Sequence, residues 1–248
     1  MTSNDFYIYL KSDASVDLYP DNKQDSFKVR LREPICLSGN WVCGLQQIQG
    51  VFDFDNVDDG RFFFADETGL WHHLTIKAGR YDTIEQLLSA IQECMDSVSP
   101  GAILITYNSI NGRVSVELTD DSAIIFKGDL SWILGFENGK IISNSVSTVA
   151  KRCIDLLVDY HHLMLYTDLI QPQLVGNHSS ELLRILDLKT IDGHNHISEF
   201  IRPYYFPVKR NNFQIVEIFI RRESGRVPIF KKGKLNLVLH MKRKNFLL

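Results

Sequence analysis

The sequence lacks the local signatures of several large protein classes. It contains no GxGxxG, GxxxxGK[ST] or GxSxG stretch, so the hallmarks of dinucleotide-binding, P-loop and hydrolase folds are missing. No run of about 18 apolar residues occurs, so no segment is predicted to span a membrane. The opening MTSNDFYIYLKSD has neither the basic region nor the apolar stretch of a secretory signal. We therefore predict neither an enzyme nor a membrane partner, and no cofactor.

Cysteine is scarce. The four cysteines are Cys36, Cys43, Cys94 and Cys153, and none of them forms a CxxC pair. Each lies in an apolar stretch of sequence, so we interpret them as reduced core thiols of a protein made in a reducing intracellular compartment. A disulfide between Cys36 and Cys43 is compatible with their spacing and remains an alternative.

Most of the chain alternates apolar and polar residues with the period of two that is typical of β-strands. No alternation of strands with helices is visible, which argues against a parallel sheet. We predict a mainly β protein, an antiparallel jelly-roll-like β-sandwich with a small α+β insertion. The strand candidates are 6–10, 27–31, 41–48, 61–65, 71–77, 161–170, 181–188, 197–208, 214–221 and 234–242.

One stretch in the middle of the chain departs from this pattern. Residues 82–98 place their apolar side chains on one helical face, with Thr83 or Asp82 as the N-cap and Gln86 completing a capping box. Strands at 102–107, 113–118 and 123–126 and a short helix at 129–136, capped by Asp129, are predicted to follow. The Asn111-Gly112 pair indicates a hairpin between the first two of these strands.

These patterns predict two parts of the chain. Residues 1–79 and 154–248 form the sandwich, with the first and last strands in one core, and residues 80–153 form an inserted helix–hairpin–strand–helix module. We expect the module to be compact and to lie outside the main sandwich. The alternative is two independent domains divided near Ala78.

Two stretches of sequence invite a metal site, and neither is favoured. His194 and His196 can share one face of a strand, but no third zinc ligand can be named. The acidic stretch DFDNVDDG, residues 53–60, fails the calcium-loop register, since Val57 occupies a ligand position. A polar turn is the better interpretation of this stretch, and no metal is predicted.

The net charge of −3 conceals a division of charge along the chain. From Arg202 onward there are twelve Lys or Arg and two Glu, which leaves about −13 for residues 1–201. Such a division suggests complementary surfaces or an anionic partner, although a solvated basic face is also compatible with it. The candidate interface lies within residues 221–234, which we call the basic segment. Its cations are Arg221, Arg222, Arg226, Lys231, Lys232 and Lys234.

We expect the basic segment to form an exposed loop, since Gly225, Pro228 and Gly233 are incompatible with a helix. Val227 and Ile229 are interpreted as packing residues. The loop lacks the helix of a groove-reading motif and the interleaved aromatics of a single-strand binder. A phosphate-contacting loop, and with it a nucleic-acid-associated binding module, remains the alternative. A neighbouring copy is the favoured partner, with opposite charges from Asp53, Asp55, Asp58 and Asp59.

Several motifs occur together in chain order. Residues 10–48 contain a Pro-Asp-Asn turn, a strand led by Phe27, a Pro-Ile turn and a strand led by Trp41. Two further segments follow, DLIQPQLVGN at 168–177 and EIFIRRESGRVPIFKKGKLNLVLHMKR at 217–243. The short motif ILGF, residues 133–136, lies between residues 10–48 and 168–177. In this order the motifs resemble the minor capsid, or penton, proteins of Polinton/Maverick elements and adintovirus-like viruses.

The resemblance implies a jelly-roll fold, no catalysis and a place in the virion. It implies a homopentamer that closes capsid vertices beside the major capsid protein. In the family the turn after the Ile-Arg strand is acidic, whereas in this chain it reads Arg221-Arg222-Glu223. The basic segment is therefore a peculiarity of this chain, and its partner is not carried over from the family.

Overall fold

The fold is described from a computed structural model that covers residues 4–119, 121–143, 147–188 and 195–244. The chain forms two compact units. The sandwich unit consists of Met1–Phe54 and Asp159–Leu248, and the inserted unit consists of Asp55–Val158. The inserted unit therefore interrupts the sandwich unit in sequence.

The strands and helices fall into three groups along the chain. The first part of the sandwich unit contains β1 (Asp5–Lys11), β2 (Ser26–Cys36), β3 (Trp41–Val51) and β4 (Asp53–Phe54). The inserted unit contains β5 (Arg61–Ala65), β6 (Trp71–Thr75), α1 (Ile84–Asp96), β7 (Ile103–Asn108), β8 (Arg113–Leu118), β9 (Ala123–Phe126), α2 (Gly128–Leu134), β10 (Ile141–Ser143) and β11 (Thr148–Val149). The second part of the sandwich unit contains β12 (His162–Thr167), β13 (Gln173–Val175), β14 (His178–Ser180), β15 (Leu182–Asp187), β16 (Asn195–Glu199), β17 (Phe206–Pro207), β18 (Asn212–Arg222), β19 (Phe230–Lys232) and β20 (Leu235–Arg243).

Eight strands form the main paths of the two sheets of the sandwich unit, and the two-residue β17 adds to one of them by pairing with β3. One sheet has the order β1-β20-β3-β16 and the other has the order β15-β12-β18-β2, with antiparallel pairing throughout. Numbered along the chain, the eight strands run 1-8-3-6 in one sheet and 5-4-7-2 in the other. This is the strand order of a jelly roll, in which two sheets are connected as Greek keys. The predicted fold class is confirmed.

The first and last strands share one core, as predicted. Ile8 and Leu10 of β1 are buried together with Leu237 and Leu239 of β20. Burial in β20 alternates only at its start, where Asn236 is intermediate, because Val238 and His240 on the opposite face are also buried. Strands from both sides of Ala78 contribute to this core, so a division of the chain near that residue does not describe the sandwich unit.

The strand predicted at 197–208 is divided. β16 ends at Glu199 and β17 covers Phe206–Pro207, and both pair with β3. Residues 200–205 between them are not in a strand. Gly44 of β3 explains part of this path, because a Cβ atom there would lie 2.7 Å from the Tyr204 carbonyl oxygen. The intervening segment therefore passes directly over the glycine.

The inserted unit has its own core between two small sheets and the helices. The sheets have the orders β10-β9-β5-β6 and β11-β8-β7, and α1 contacts β7 and β6. Phe62 and Phe64 of β5 are fully buried beside Leu87 and Ile91 of α1. The unit extends from Asp55 to Val158, beyond the predicted 80–153, because β5 and β6 belong to its sheet through the pairing of β5 with β9.

The predicted helix at 82–98 is observed as α1. Thr83 is its N-cap, with its hydroxyl accepting from the Gln86 amide, and the Gln86 side chain accepts from the Asp82 amide. The predicted capping of the second helix by Asp129 is wrong. The N-cap of α2 is Lys127, and the buried Asp129 carboxylate instead accepts from the amides of Asp58 and Asp59.

No helix in the described ranges is long and apolar enough to cross a membrane.

We predict that residues 55–158 fold cooperatively when they are produced without the rest of the chain. The basis is that both sheets and α1 close a core within this range. Dispersed amide resonances and a single unfolding transition are the expected results. Replacing the fully buried Ile91 with alanine should lower the free energy of unfolding by about 2–5 kcal/mol. The matched change of Leu104, which is 52% exposed, should cost much less. A fragment without cooperative unfolding would contradict the prediction.

Candidate functional site

The basic segment is divided between two strands and a turn. Arg221 and Arg222 are the last residues of β18, whereas Lys231 and Lys232 lie in β19, which pairs with β4. The prediction of one exposed loop over 221–234 is therefore wrong, because regular pairing continues through Arg222 and resumes at Phe230. The expectation of a loop holds for residues 223–229, between the two strands, and for Gly233 and Lys234, which precede β20.

Arg222 is a core residue. Its side chain is 2% exposed, and its guanidinium lies 4.5 Å above the ring of Tyr160. Nη2 donates to the carbonyl of Val227 at 3.0 Å, and Nη1 lies 3.7 Å from the carboxylate of Asp159. A buried guanidinium is tolerated only with such partners, because an unpaired charge loses its hydration on burial. Arg222 is therefore withdrawn from the candidate interface.

Asp159 organises the turn of the basic segment. Its carboxylate accepts from the amide of Ser224 at 2.9 Å, from the hydroxyl of Ser224 at 2.8 Å and from Arg226 at 2.8 Å. Its side chain is 14% exposed, so these bonds form in a partly desolvated environment where charge-assisted hydrogen bonds are strong. The turn is thus fixed by an acid at the point where the chain re-enters the sandwich unit.

An aromatic cluster lies beside this turn. The rings of Phe54 and Tyr160 stack with centroids 3.7 Å apart, and Phe230 contacts Phe54 edge-on at 6.3 Å. Phe54 is the last residue of the sandwich unit before the insertion, and Tyr160 is the second after it. The interpretation of Val227 and Ile229 as packing residues is wrong. Val227 and Ile229 are 45% and 57% exposed, while Pro228 is buried.

The remaining cations of the basic segment differ in their surroundings. The ammonium of Lys232 lies 3.5 Å from Asp53, and that of Lys234 lies 2.5 Å from Asp13. The hydrogen bond from Lys234 lowers the pKa of Asp13. Both lysine side chains remain more than 65% exposed, so these pairs are surface contacts. Asp53 was expected to meet a cation of a neighbouring copy, and it meets instead one of its own chain.

Arg221 lies on the outer side of β18. Its Nη1 donates to the carbonyl of Ile220, and its guanidinium lies 5.8 Å from the ring centroid of Phe219. The residue is half-buried, so its charge remains accessible at the sheet surface. Lys231 in β19 is exposed, so it also presents its charge at the surface of the sandwich unit.

The described residues among those considered for metal binding have other partners. Nε2 of His196 lies 2.7 Å from the hydroxyl of Ser198, and His194 lies outside the described residues. In the acidic stretch at 53–60, Asp59 pairs with Arg61, which lowers the pKa of Asp59. No group of three or more His, Cys, Asp or Glu suited to a metal ion occurs in the ranges that the structure describes.

The cysteines do not all lie in the core. Cys43 is fully buried, and its burial raises the pKa of the thiol to about 12. Cys36 and Cys153 are exposed, Cys94 is intermediate, and all four are free thiols. The interpretation of four core thiols is therefore correct only for Cys43. Cys36 is the last residue of β2, Cys153 lies outside the strands and helices, and Cys94 of α1 is partly buried against the core of the inserted unit.

The sandwich unit defines the chain as a jelly-roll protein with a large insertion between the third and fourth main strands, a fold class that includes viral capsid and lectin domains. Among solved structures, it is similar to the crystal structure of the selenomethionine-labelled mavirus penton protein, from a Maverick/Polinton-like virus. The TM-score is 0.52 at 10% sequence identity, and the match covers 96% of this chain and 99% of that chain. No family model matches the sequence, and no curated protein matches it.

This match confirms the resemblance stated from the motifs at the level of the fold. A match that covers 96% of the chain extends across both compact units, so the insertion is included with the sandwich.

The sequence analysis did not identify Asp159 and Tyr160 as functional or structural residues. An acid and an aromatic next to a predicted strand are too common to indicate contacts with a turn about 65 residues later.

Removing Arg222 should be far more damaging than removing Arg226. Arg222→Ala removes a large side chain that is 2% exposed, together with its contact with Tyr160 and its bond to the Val227 carbonyl, so we expect a loss of about 3–5 kcal/mol in the free energy of unfolding. Arg226 is 48% exposed, and Arg226→Ala should cost about 1 kcal/mol or less. Chemical denaturation of both variants measures the difference, and equal losses would contradict the assigned burial.

Proposed function

We propose that this chain is a structural capsid protein, a penton-like minor capsid subunit that assembles at the vertices of an icosahedral particle. The observation that carries the proposal is the fold match with a penton protein over nearly the full length of both chains. A match restricted to the sandwich would be weak support, since jelly rolls serve many functions. Inclusion of the insertion makes the similarity more specific.

In this role the chain forms a homopentamer, contacts the major capsid protein and resides in the virion. A closed ring of five identical subunits requires a heterologous interface, in which two different patches of the surface meet. The charge division along the chain, about +10 after residue 201 and about −13 before it, supports two such patches of opposite sign. Rim charges of this kind govern the encounter rate and the register of the subunits more than their affinity.

The exposed cations of the basic segment are the proposed contribution of this region to the interface. Lys231, Lys232 and Lys234 are exposed, Arg221 is half-buried at the sheet surface, and Arg226 is half-exposed beside Asp159. Nucleic-acid binding through the same segment is less favoured. Lys232, Lys234 and Arg226 already contact acids of their own chain, and Arg222 is buried, so the positive field available to phosphates is reduced.

The oligomeric state tests the proposal. Native mass spectrometry of the purified full-length chain should show a species of five subunits, and class averages of stained particles should show fivefold rings. Fluorescence anisotropy with a short DNA duplex at low salt provides the comparison. A chain that stays monomeric at high concentration and binds DNA with a steep salt dependence would favour the nucleic-acid module instead.

Charge reversal tests the basic segment separately. We expect Arg221→Glu with Lys231→Glu to slow ring assembly at low salt, with the difference from the parent shrinking as salt increases. Each exposed pair contributes about 0.2–1 kcal/mol, so the rings should weaken without disappearing. Stopped-flow light scattering measures the rate.

The matched control for this charge reversal is Lys77→Glu with Arg113→Glu, which makes the same change of net charge on exposed residues of the inserted unit. Equal rates for the two double variants would remove the basic segment from the interface. DNA binding that is present in the parent and lost only in the first double variant would assign the segment to nucleic acid.

A further inference from the structure

β1 is an edge strand with unpaired main-chain groups along one side. Within the described ranges it pairs with β20 alone. The Arg243 amide donates to the carbonyl of Asn4, and the Ser12 amide donates to the carbonyl of Leu235. Because antiparallel bonds alternate along a strand, the even-numbered residues from 4 to 12 bond to β20. The amides and carbonyls of Tyr7 and Tyr9 therefore point away from the sheet.

The middle of this edge lacks the devices that usually protect edge strands from pairing. Phe6–Leu10 is a run of five uncharged residues without proline. By contrast, the β2 edge of the other sheet carries Lys28, Arg30, Arg32 and Pro34. Natural proteins place such charges and prolines on edges to prevent association, so an edge without them is suited to binding another strand.

The sequence of β1 is complementary to itself in the antiparallel direction. The strand reads DFYIYLK, with an acid at one end, a base at the other and Ile8 at the centre. Two copies paired about a twofold axis at Ile8 place Asp5 of each opposite Lys11 of the other. Tyr7 of each copy then lies opposite Tyr9 of the other, and the main-chain groups of both residues point outward. The same register therefore allows the main-chain hydrogen bonds between the strands and pairs the opposite charges at their ends.

The side chains at this edge are accessible to a second copy. Tyr7 is 50% exposed and Tyr9 is 71% exposed on the outer face of the sheet. Aromatic pairs across neighbouring strands stabilise antiparallel sheets. The carbonyl of Lys11 already accepts the Ala14 amide, so the strongest intermolecular bonds are expected at Tyr7 and Tyr9, in the middle of the strand.

We propose that β1 pairs antiparallel with β1 of a second copy, which joins the two sheets across a twofold axis. This contact goes beyond the proposed vertex role. A twofold contact is isologous and cannot close a ring of five, so it is a second self-association surface, distinct from the ring interface. We assign a second copy as the partner of this edge because one register both pairs the opposite charges and aligns the outward-pointing main-chain donors and acceptors.

Trans-complementation tests the pairing. Asp5→Lys alone places Lys opposite Lys, and Lys11→Asp alone places Asp opposite Asp, so each variant should lose the twofold contact at low salt. An equimolar mixture should restore it, because both ends then pair Lys with Asp between unlike chains. Native mass spectrometry with one variant isotopically labelled should show mixed pairs at parent levels. A mixture that associates no better than either variant alone would overturn the proposal.

Tyr9→Pro tests the main-chain bonds. Proline removes an outward N–H while sparing the bonds to β20, and edge strands tolerate proline on this side. Two N–H donors are lost per pair, so the dissociation constant should rise about ten- to hundredfold beyond that of Tyr9→Ala, which keeps the N–H. Sedimentation equilibrium measures both variants, and equal constants would overturn the main-chain pairing.

Hydrogen exchange of the peptide covering residues 4–12 gives an independent outcome. In the parent, protection of the Tyr7 and Tyr9 amides should rise with protein concentration. In Tyr9→Pro, where only the Tyr7 amide remains, its protection should not depend on concentration. Protection independent of concentration would overturn the proposal and leave the edge to a different polypeptide. Rings of five without twofold pairing of the parent chain at any concentration would refute this contact and leave the vertex role intact. Twofold pairs without rings of five would support this contact and contradict the proposed vertex role.

Discussion

The position of the last strand between the first and third strands is the constraint on which the sandwich depends. β20 pairs with β1 on one side and with β3 on the other, and its Leu235, Leu237, Leu239 and Met241 are almost completely buried. The sheet is therefore complete only when the C-terminal strand pairs with two strands from the beginning of the chain. Such long-range pairing makes the fold slow to form and strongly cooperative.

The insertion adds a second constraint, because the chain must leave the sandwich unit and return to the same place. Phe54 and Tyr160 stack where the chain leaves and returns, and Arg222 covers Tyr160. Asp159 then fixes the turn that follows β18 through Ser224 and Arg226. The basic segment therefore has a structural task as well as a charge. Its buried Arg222 stabilises the fold, whereas its exposed cations carry charge at the surface.

Period-two patterns predicted the sandwich well but could not assign strands to a sheet. RFFFA and WHHLTIK alternate like sandwich strands, yet β5 and β6 belong to the insertion, since pairing partners far along the chain decide the sheet. The local signals of Thr83 and of the Asn111-Gly112 hairpin were reliable, because capping and turn chemistry act within a few residues. The burial of Arg222 was not predictable, since it depends on Asp159 and Tyr160, more than 60 residues earlier.

The central claim is that this fold serves as a vertex protein of a capsid. Electron cryomicroscopy of particles produced by co-expressing the chain with the major capsid protein of the same element tests it most directly. The account predicts fivefold density at the vertices into which the jelly roll and its inserted unit can be traced separately. Particles whose vertices are closed without this chain, or a chain recovered only with packaged nucleic acid, would contradict it.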